Sequence, residues 1–403
     1  MSALYSELDK KKEIKRKVQV FHFFGFTADL IGLSDEECLH HSDSLRNVLS
    51  RLQREDNIWS ELNYFTRGRT RKEFNLQSLS FKFHPISLRF LKKRANAFGA
   101  QISLPFLRYF FSCRPDLVHF HLSTGRSKYL MGKWLVLHRI PYIIHIHGFS
   151  VKGDPAKNRF FQRASAVIAG AKMSIEKAVR EYGIHPPRAL VIPLGPDINS
   201  FKPLGKREET KRPSLLFVGR LYKEKGALDA LKCLKKIKTR CPDANLKIVG
   251  PPQDREHVLS LHSYIEKEGL SGSVEFTDYI PNEKLPLLYS DADLFLFPSR
   301  SEGMALTVME AMACGLPVAA LRGTGGHSEI IKDNVTGLLA APEDIAERTF
   351  ELILDKDKLK RLSENSRREA VEKFSSELTY AKLKEVYFAV GGMKSPTFVG
   401  YKH

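Results

Sequence analysis

Residues 214–238 read SLLFVGRLYKEKGALDALKCLKKIK. A mostly apolar run of five residues ends at Gly219, a charged turn follows, and a helical stretch begins at Ala227. A run so short and so apolar reads as a strand covered on both faces, the kind found in parallel sheets flanked by helices. The rhythm repeats downstream. Runs at 246–249 (LKIV), 274–277 (VEFT), 293–297 (DLFLF) and 317–321 (PVAAL) alternate with helical stretches, notably 227–238, 255–268 and 305–313.

The first half has the same alternation. Strands are expected at 17–24 (KVQVFHFF, ended by Gly25), 117–121 (LVHFH), 142–147 (YIIHIH), 166–169 (AVIA) and 189–193 (ALVIP), with a helix over 173–182. The expected fold is α/β, with two Rossmann-like doubly wound domains facing a central cleft. The boundaries read as 1–195 for the first domain, 196–213 for a linker rich in Pro, Gly and charge, and 214–375 for the second domain. Residues 376–403 read as a closing helix and tail, the helical pattern starting near Ser363.

Composition narrows the class. The chain has 403 residues, 42% hydrophobic and 27% charged. No apolar stretch reaches the ~18 residues of a spanning helix. The charged start (Lys10, Lys11, Lys12, Lys15, Arg16, Lys17) has no apolar segment behind it, unlike a secretory leader. The five cysteines are widely spaced, with no C-x-x-C. That argues against a disulfide framework or a zinc knuckle, and the cytoplasm is the expected compartment. Residues 1–200 hold 32 Lys and Arg against 17 Asp and Glu, and the remainder holds 32 against 29. The excess positive charge therefore lies in the first half, where it favours a polyanion or an anionic membrane.

Ligands of open α/β sheets bind beyond the carboxyl ends of strands. Gly219 sits at such an end and permits close backbone approach, and Arg220 and Lys225 put two cations into the turn before a helix N-terminus. They suit a diphosphate and the charge that develops as it leaves. The run 298–317 (PSRSEGMALTVMEAMACGLP) forms a second candidate. Gly303 turns the chain into a helix from about Ala305. Glu302 sits at its entrance, Glu310 about two turns in, and the N–H groups of Met304, Ala305 and Leu306 are available to a phosphate. Carboxylates there suit sugar or ribose hydroxyls. The glycine-rich run 323–326 is weaker evidence alone. His147 ends a strand at the edge of the first domain's cleft. His22, His119, His121 and His145 alternate with apolar residues and read as packing or lining residues without ligand-like partners. Asp291 and Asp293 form a D-x-D, but they precede a buried strand with no second acid cluster, so no metal site is expected.

These segments together resemble the retaining glycosyltransferases of family 4, with the GT-B fold. The resemblance is carried by FVGRLYKEKG (217–226), by VEFTDYIPNEKLPLLYSDADLFLFPSRSEGMALTVMEAMACGLPVAA (274–320) and by GGHSEIIKDNVTGLL (325–339). RPDLVHFH, YIIHIHG, ASAVIAGAKM and VIPLGPDINSFKP extend it into the first half. It implies that Glu302 holds donor-sugar hydroxyls and Glu310 the ribose. Arg220 and Lys225 neutralise the diphosphate, His147 contacts the donor sugar, and backbone near Tyr279, Ile280 and Pro281 meets the base. It also implies retention of anomeric configuration with no cofactor and no catalytic metal. The co-substrate is a UDP- or GDP-sugar, and the acceptor a hydroxyl of a glycan or lipid-linked molecule in surface polysaccharide or glycolipid synthesis. Two departures stand out. Where the family often has a glycine pair after its first strand, residues 24–29 read FGFTAD, leaving Gly25 alone as the first-domain donor contact. The second motif reads GMAL, where an aromatic residue and a second glycine are common.

Two other functions compete: a sugar-nucleotide 2-epimerase on the same fold, which needs no acceptor, and a non-catalytic sugar-nucleotide binder. Between Leu62 and Phe110 ten Lys and Arg face one acid, Glu73. Leu88, Leu91, Ala95 and Phe98 form a helical stripe with Lys92, Lys93 and Arg94 largely off it. A basic amphipathic helix suits the inner face of an anionic membrane, as an alternative to an ordinary surface helix. No nucleic-acid module is recognisable.

Overall fold

The computed structural model describes residues 17–27, 34–40, 43–87, 102–121, 126–147, 155–205 and 212–391. The basic stripe at 88–98, Gly148 and residues 392–403 of the tail lie outside them.

The first half supplies β1 (Val18–Thr27), β2 (Ile58–Thr66), β3 (Lys72–Leu76), β4 (Leu79–Pro85), β5 (Leu117–His121), β6 (Tyr142–Ile146), β7 (Ala166–Ala169) and β8 (Ala189–Val191). Its helices are α1 (Asp43–Asp56), α2 (Leu104–Ser112), α3 (Arg126–Leu137), α4 (Pro155–Gln162) and α5 (Lys172–Tyr182). The strands form one sheet in the order β3-β4-β2-β1-β5-β6-β7-β8, parallel except for the β3–β4 hairpin. Strand alternation sends Val18, Val20 and Phe24 into a core shared with α1, and Phe21 and Phe23 into an aromatic core with Phe106 and Phe110 of α2.

Gly25 does not end the first strand. β1 runs on to Thr27, with its register against β2 shifting between Phe23 and Thr27. The hairpin and β2 escape a search for apolar runs because β2 buries Ser60, Glu61 and Asn63 among its apolar residues. Glu61 is paired there with Lys82 and accepts from the Tyr109 hydroxyl at 2.7 Å.

The second half supplies β9 (Ser214–Val218), β10 (Asn245–Val249), β11 (Val274–Thr277), β12 (Leu294–Phe297), β13 (Val318–Leu321) and β14 (Leu338–Ala340). The helices are α6 (Ala227–Lys238), α7 (Arg255–Lys267), α8 (Leu285–Asp291), α9 (Leu306–Ala313), α10 (His327–Ile330), α11 (Ile345–Leu354), α12 (Lys356–Lys373) and α13 (Ser376–Val390). The order β11-β10-β9-β12-β13-β14 is parallel throughout. Strand order reverses between β9 and β12, and in the first sheet between β1 and β5. These are the switch points where such sheets open a crevice.

The closing helix is two helices. Ser375 caps α13 by accepting from the Leu378 N–H, and Phe374 ends α12. The break lets the chain cross back to the first sheet, where Tyr380, Leu383 and Tyr387 join its core. The return crossing is bonded to the outgoing one: Ser376 N–H donates to the Pro196 carbonyl at 2.9 Å and the Thr379 hydroxyl to that of Pro193 at 2.7 Å. No described helix is long and apolar enough to cross a membrane.

Candidate functional site

At the carboxyl end of β9 the Gly219 N–H donates to the Val249 carbonyl at 2.9 Å, and the chain leaves through a short 3-10 turn at Lys223–Lys225. Gly226 then starts α6 with a φ of 80°. A Cβ there would lie 2.1 Å from the Pro298 carbonyl oxygen, so only glycine lets this loop approach the loop after β12. The two loops are bonded as well: the Arg300 N–H donates to the Glu224 carbonyl at 2.8 Å, and the Arg300 guanidinium pairs with Asp229 of α6.

This approach brings Lys225 and Glu302 together. Their ion pair is largely buried, with side chains 15% and 10% exposed. The same Glu302 oxygen accepts from the Ser299 hydroxyl at 2.9 Å, and Ser299 is fully buried. Arg220 is half-buried, its guanidinium 5.4 Å from the Tyr222 ring centre, and among the described residues it pairs with no carboxylate. Of the two expected cations, Arg220 is thus uncommitted, while Lys225 already has an acid.

Glu302 stands before the helix rather than at its first turn. It bridges to Gly325, and its carbonyl accepts from the Gly326 N–H at 3.2 Å, so the glycine-rich loop after β13 lies against it. A Cβ on Gly325 would meet the Glu302 backbone at 2.6 Å. α9 begins at Leu306, which puts Glu310 just over one turn in, not two. Ala305, as N-cap, has no side chain to accept from the first-turn amides, so the N–H groups at Leu306 and beyond have no side-chain cap. Glu310 is buried, at 2% exposure, and accepts from the Tyr289 hydroxyl at 3.0 Å. Its apolar surroundings are tolerated because it has this partner, not because it reaches the surface. Ile280 is half-buried beyond the carboxyl end of the edge strand β11.

The two sheets meet at this point. Gly170, at the end of β7, lies so close to Met304 that a Cβ would be 2.7 Å from its side chain, and Gly326 packs as closely on Ala171. The carboxylate of Glu329 in α10 accepts from the Lys172 and Met173 N–H groups at 2.7 Å each, capping α5 of the other domain. Met304 therefore belongs to the inter-domain contact as well as to the loop before α9, while Gly303 lies against Gly326 of its own domain. His147, half-buried, closes β6, the neighbour of β7 in the first sheet.

His22 and His121 do have partners, in a row with His147, while His119 bonds to Tyr387 and His145 only packs its ring against its neighbours. His22 Nδ1 lies 3.0 Å from His121 Nε2, and His121 Nδ1 lies 3.0 Å from His147 Nε2. His22 Nε2 is 3.1 Å from the Ser60 hydroxyl, and His119 Nδ1 is 2.7 Å from that of Tyr387. Burial holds His22 down to about 3 and His119, His121 and His145 well below the usual histidine range, so these rings are neutral near pH 7. Donor atoms of His22, His119 and His121, and of His121, His145 and His147, lie within 4.8 Å of one another. They fit a metal poorly. Two rings whose nitrogens face each other at 3.0 Å cannot both aim at an ion about 2.0–2.1 Å from each. Lys128, buried at 1% exposure, donates from Nζ to the His121 carbonyl at 2.9 Å, and burial lowers its pKa to about 7.

Asp293 accepts from the Ser214 N–H at 2.8 Å at the amino edge of the sheet, opposite the loops above. Sequence reasoning missed Ser299, Tyr289 and Glu329, which hold the site in place from positions with no motif of their own. It also missed the bonded histidine row, for which the alternations HFH and HIH were the available clue.

Two family models together match residues 48–369. Residues 48–200 match the one described as Glycosyltransferase Family 4, and residues 200–369 the one described as Glycosyl transferases group 1. A D-inositol 3-phosphate glycosyltransferase of Catenulispora acidiphila is 28% identical over 307 residues, 68% of this chain and 70% of its own. One from Paenarthrobacter aurescens is 30% identical, over 50% of this chain and 52% of its own. Among solved structures, Anabaena HepE in complex with UDP superposes with a TM-score of 0.70 at 18% identity, covering 92% of this chain and all of that one, and HepE has also been solved with UDP-glucose. With two doubly wound domains meeting at their carboxyl edges and both halves matched, the chain belongs to the group 1, family 4 glycosyltransferases of the GT-B fold.

Proposed function

We propose that the protein transfers a sugar, with retention of anomeric configuration, from a nucleoside diphosphate sugar to a hydroxyl of a glycan or lipid-linked acceptor. The observation that carries this reading is the convergence of Arg220, Lys225 and Glu302 at the switch point of the second sheet. Arg220 and Lys225 bind the diphosphate beside Gly219 and stabilise the charge of the leaving group. Glu302 exchanges part of its bond to Lys225 for the donor-sugar hydroxyls. Glu310, held by Tyr289, takes the ribose, and the first-turn amides of α9 meet a phosphate. Backbone at Ile280 meets the base, and His147 and Gly25 approach from the first domain. The acceptor hydroxyl attacks from the face the diphosphate leaves, and the departing phosphate takes the proton. Catalysis is then positioning and electrostatic stabilisation by side-chain cations, with no step assigned to a metal.

UDP-sugars are the first donors to try, since HepE binds UDP and UDP-glucose. The basic balance of the first half supports a lipid-linked or anionic acceptor at a membrane face, in surface polysaccharide or glycolipid synthesis. The test is product analysis by NMR after incubating one nucleotide sugar with and without acceptor alcohols. An α-linked product from an α-linked donor, formed only with acceptor, supports the reading. Conversion of the donor sugar itself without acceptor points to an epimerase.

A further inference from the structure

The histidine row crosses the first domain's own switch point, from β1 through β5 to β6, and ends on His147. Ring centres of His22 and His121 are 5.3 Å apart and those of His121 and His147 are 5.2 Å apart, each pair within 21° of parallel. Each separation exceeds the 3.0 Å N···N distance by about two ring radii, so the rings lie edge to edge with each lone pair aimed at the next nitrogen.

We infer that Ser60, His22 and His121 form a hydrogen-bonded relay that fixes the tautomer of His147, placing its proton on Nδ1. A neutral imidazole has one donor and one acceptor. Both nitrogens of His22 and of His121 are used within the row, so the polarity of one bond sets that of all the others. Ser60 decides the direction. It is 5% exposed, and among the described residues His22 Nε2 is the one hydrogen-bond partner of its hydroxyl. If Ser60 accepted, its own hydrogen would be buried without an acceptor, which costs about 1–3 kcal/mol. Ser60 therefore donates to His22 Nε2, His22 Nδ1–H to His121 Nε2, and His121 Nδ1–H to His147 Nε2. His147 is left with its hydrogen on Nδ1, as a donor.

The surroundings keep the relay neutral. Phe24 stacks on His121 with ring centres 4.3 Å apart, His119 stacks on its other neighbouring position at 4.3 Å, and His145 stacks on His147 at 4.1 Å. The Tyr387 hydroxyl meets His119, and the Lys128 side chain, its pKa lowered to about 7 by burial, donates to the His121 carbonyl. The consequence rests on the reading of His147 as a donor contact: a fixed Nδ1–H selects an oxygen acceptor, such as a sugar hydroxyl oxygen or a phosphate oxygen. The relay makes His22, His121 and Ser60 positioning residues, since they act through His147.

The test is 15N NMR of histidine-labelled protein near pH 8, with His147 assigned by its loss in His147→Gln. It needs no donor, so it can fail independently of the transferase reading. The relay predicts a single His147 tautomer with the hydrogen on Nδ1, and a mixture of tautomers in His121→Phe and in the smaller change Ser60→Ala. A wild-type His147 with its hydrogen on Nε2, or a tautomer unchanged in both variants, overturns it. So does stoichiometric zinc or copper in the purified, untagged protein, because an ion would take the nitrogens assigned here to hydrogen bonds, along with His119 Nε2 and His145 Nδ1, which are buried without partners.

Discussion

Lys225 and Glu302 are ion-paired across the gap between the loop after β9 and the loop after β12, at the point where strand order reverses in the second sheet. The pair fastens the two loops together, beside the Arg300 N–H bond to the Glu224 carbonyl. Removing one partner of a buried pair leaves an uncompensated charge, worth about 3–5 kcal/mol when burial is complete. With side chains 10–15% exposed, the loss here is smaller. Glu302→Ala should lower the urea midpoint more than Glu302→Gln, and Lys225→Met with Glu302→Gln should recover part of the loss. A double-mutant cycle should give a coupling of about 0.5–3 kcal/mol. Additive effects would show that Lys225 and Glu302 do not interact in the folded protein.

Tyr289 is the anchor of Glu310. Its hydroxyl is fully buried, and it is the bond that makes a carboxyl among Val308, Met309, Ala311 and Met312 acceptable. Tyr289→Phe should cost about 1–3 kcal/mol by leaving a buried acceptor short of a donor. Because Glu310 is assigned to the ribose, away from the bonds that change, the same variant should raise the donor KM more than it lowers kcat. Denaturant titration and steady-state kinetics check the two halves separately.

Gly226 tests the loop approach. Alanine there would need a φ of 80° and would put its Cβ 2.1 Å from a carbonyl oxygen, so the loops must part. Gly226→Ala should destabilise by at least about 1–3 kcal/mol and separate Lys225 from Glu302. Thermal unfolding and turnover should fall together. A variant as stable and active as wild type would mean the loops are not held this closely.

Acid should unfold the protein through its histidines. Burial lowers the pKa of His22 and His84 to about 3, and of His119, His121 and His145 well below the ordinary value. In the unfolded chain the same rings titrate near 6.5 and bind protons first. Their contribution is complete above about pH 6.5 and declines as pH falls toward the folded values, by about 1.4 kcal/mol per pH unit for each ring. Urea midpoints should drop between pH 7 and pH 5, and His22→Gln should reduce the slope by about one proton. Midpoints flat over that range would show that the rings are charged or exposed in the folded state.

The parts of the fold that read clearly were those where burial is apolar and continuous. Leu117–His121, Ala166–Ala169 and Ser214–Val218 are strands over the expected residues, and the partly exposed edge strand Val274–Thr277 was legible as well. β2 and the hairpin were not legible, because Ser60, Glu61 and Asn63 are polar residues that tertiary partners make buryable. The break at Phe374 and Ser375 was hidden inside a helical pattern, since its cause is the distant Pro193–Pro196 crossing. At the site, Arg220, Lys225, Glu302 and Glu310 could be found from spacing and resemblance. Their mutual bonding could not, because Lys225 and Glu302 are 77 residues apart and Tyr289 lies 21 before Glu310. The histidines show the same limit: alternation along a strand reveals a shared face, and only the pairing of β1, β5 and β6 turns it into a bonded row.

The switch point of the second sheet is proposed to bind a nucleoside diphosphate sugar and drive out the diphosphate. The most direct measurement is release of nucleoside diphosphate from a panel of UDP- and GDP-sugars, comparing wild type with Arg220→Ala and Glu302→Ala. Slow release is expected from one donor without acceptor, faster release when its acceptor is supplied, and a loss of about 10²-fold or more in Arg220→Ala, with Glu302→Ala also impaired. Release that is equal in all three proteins, or no release together with no calorimetric binding of UDP or GDP, would contradict it.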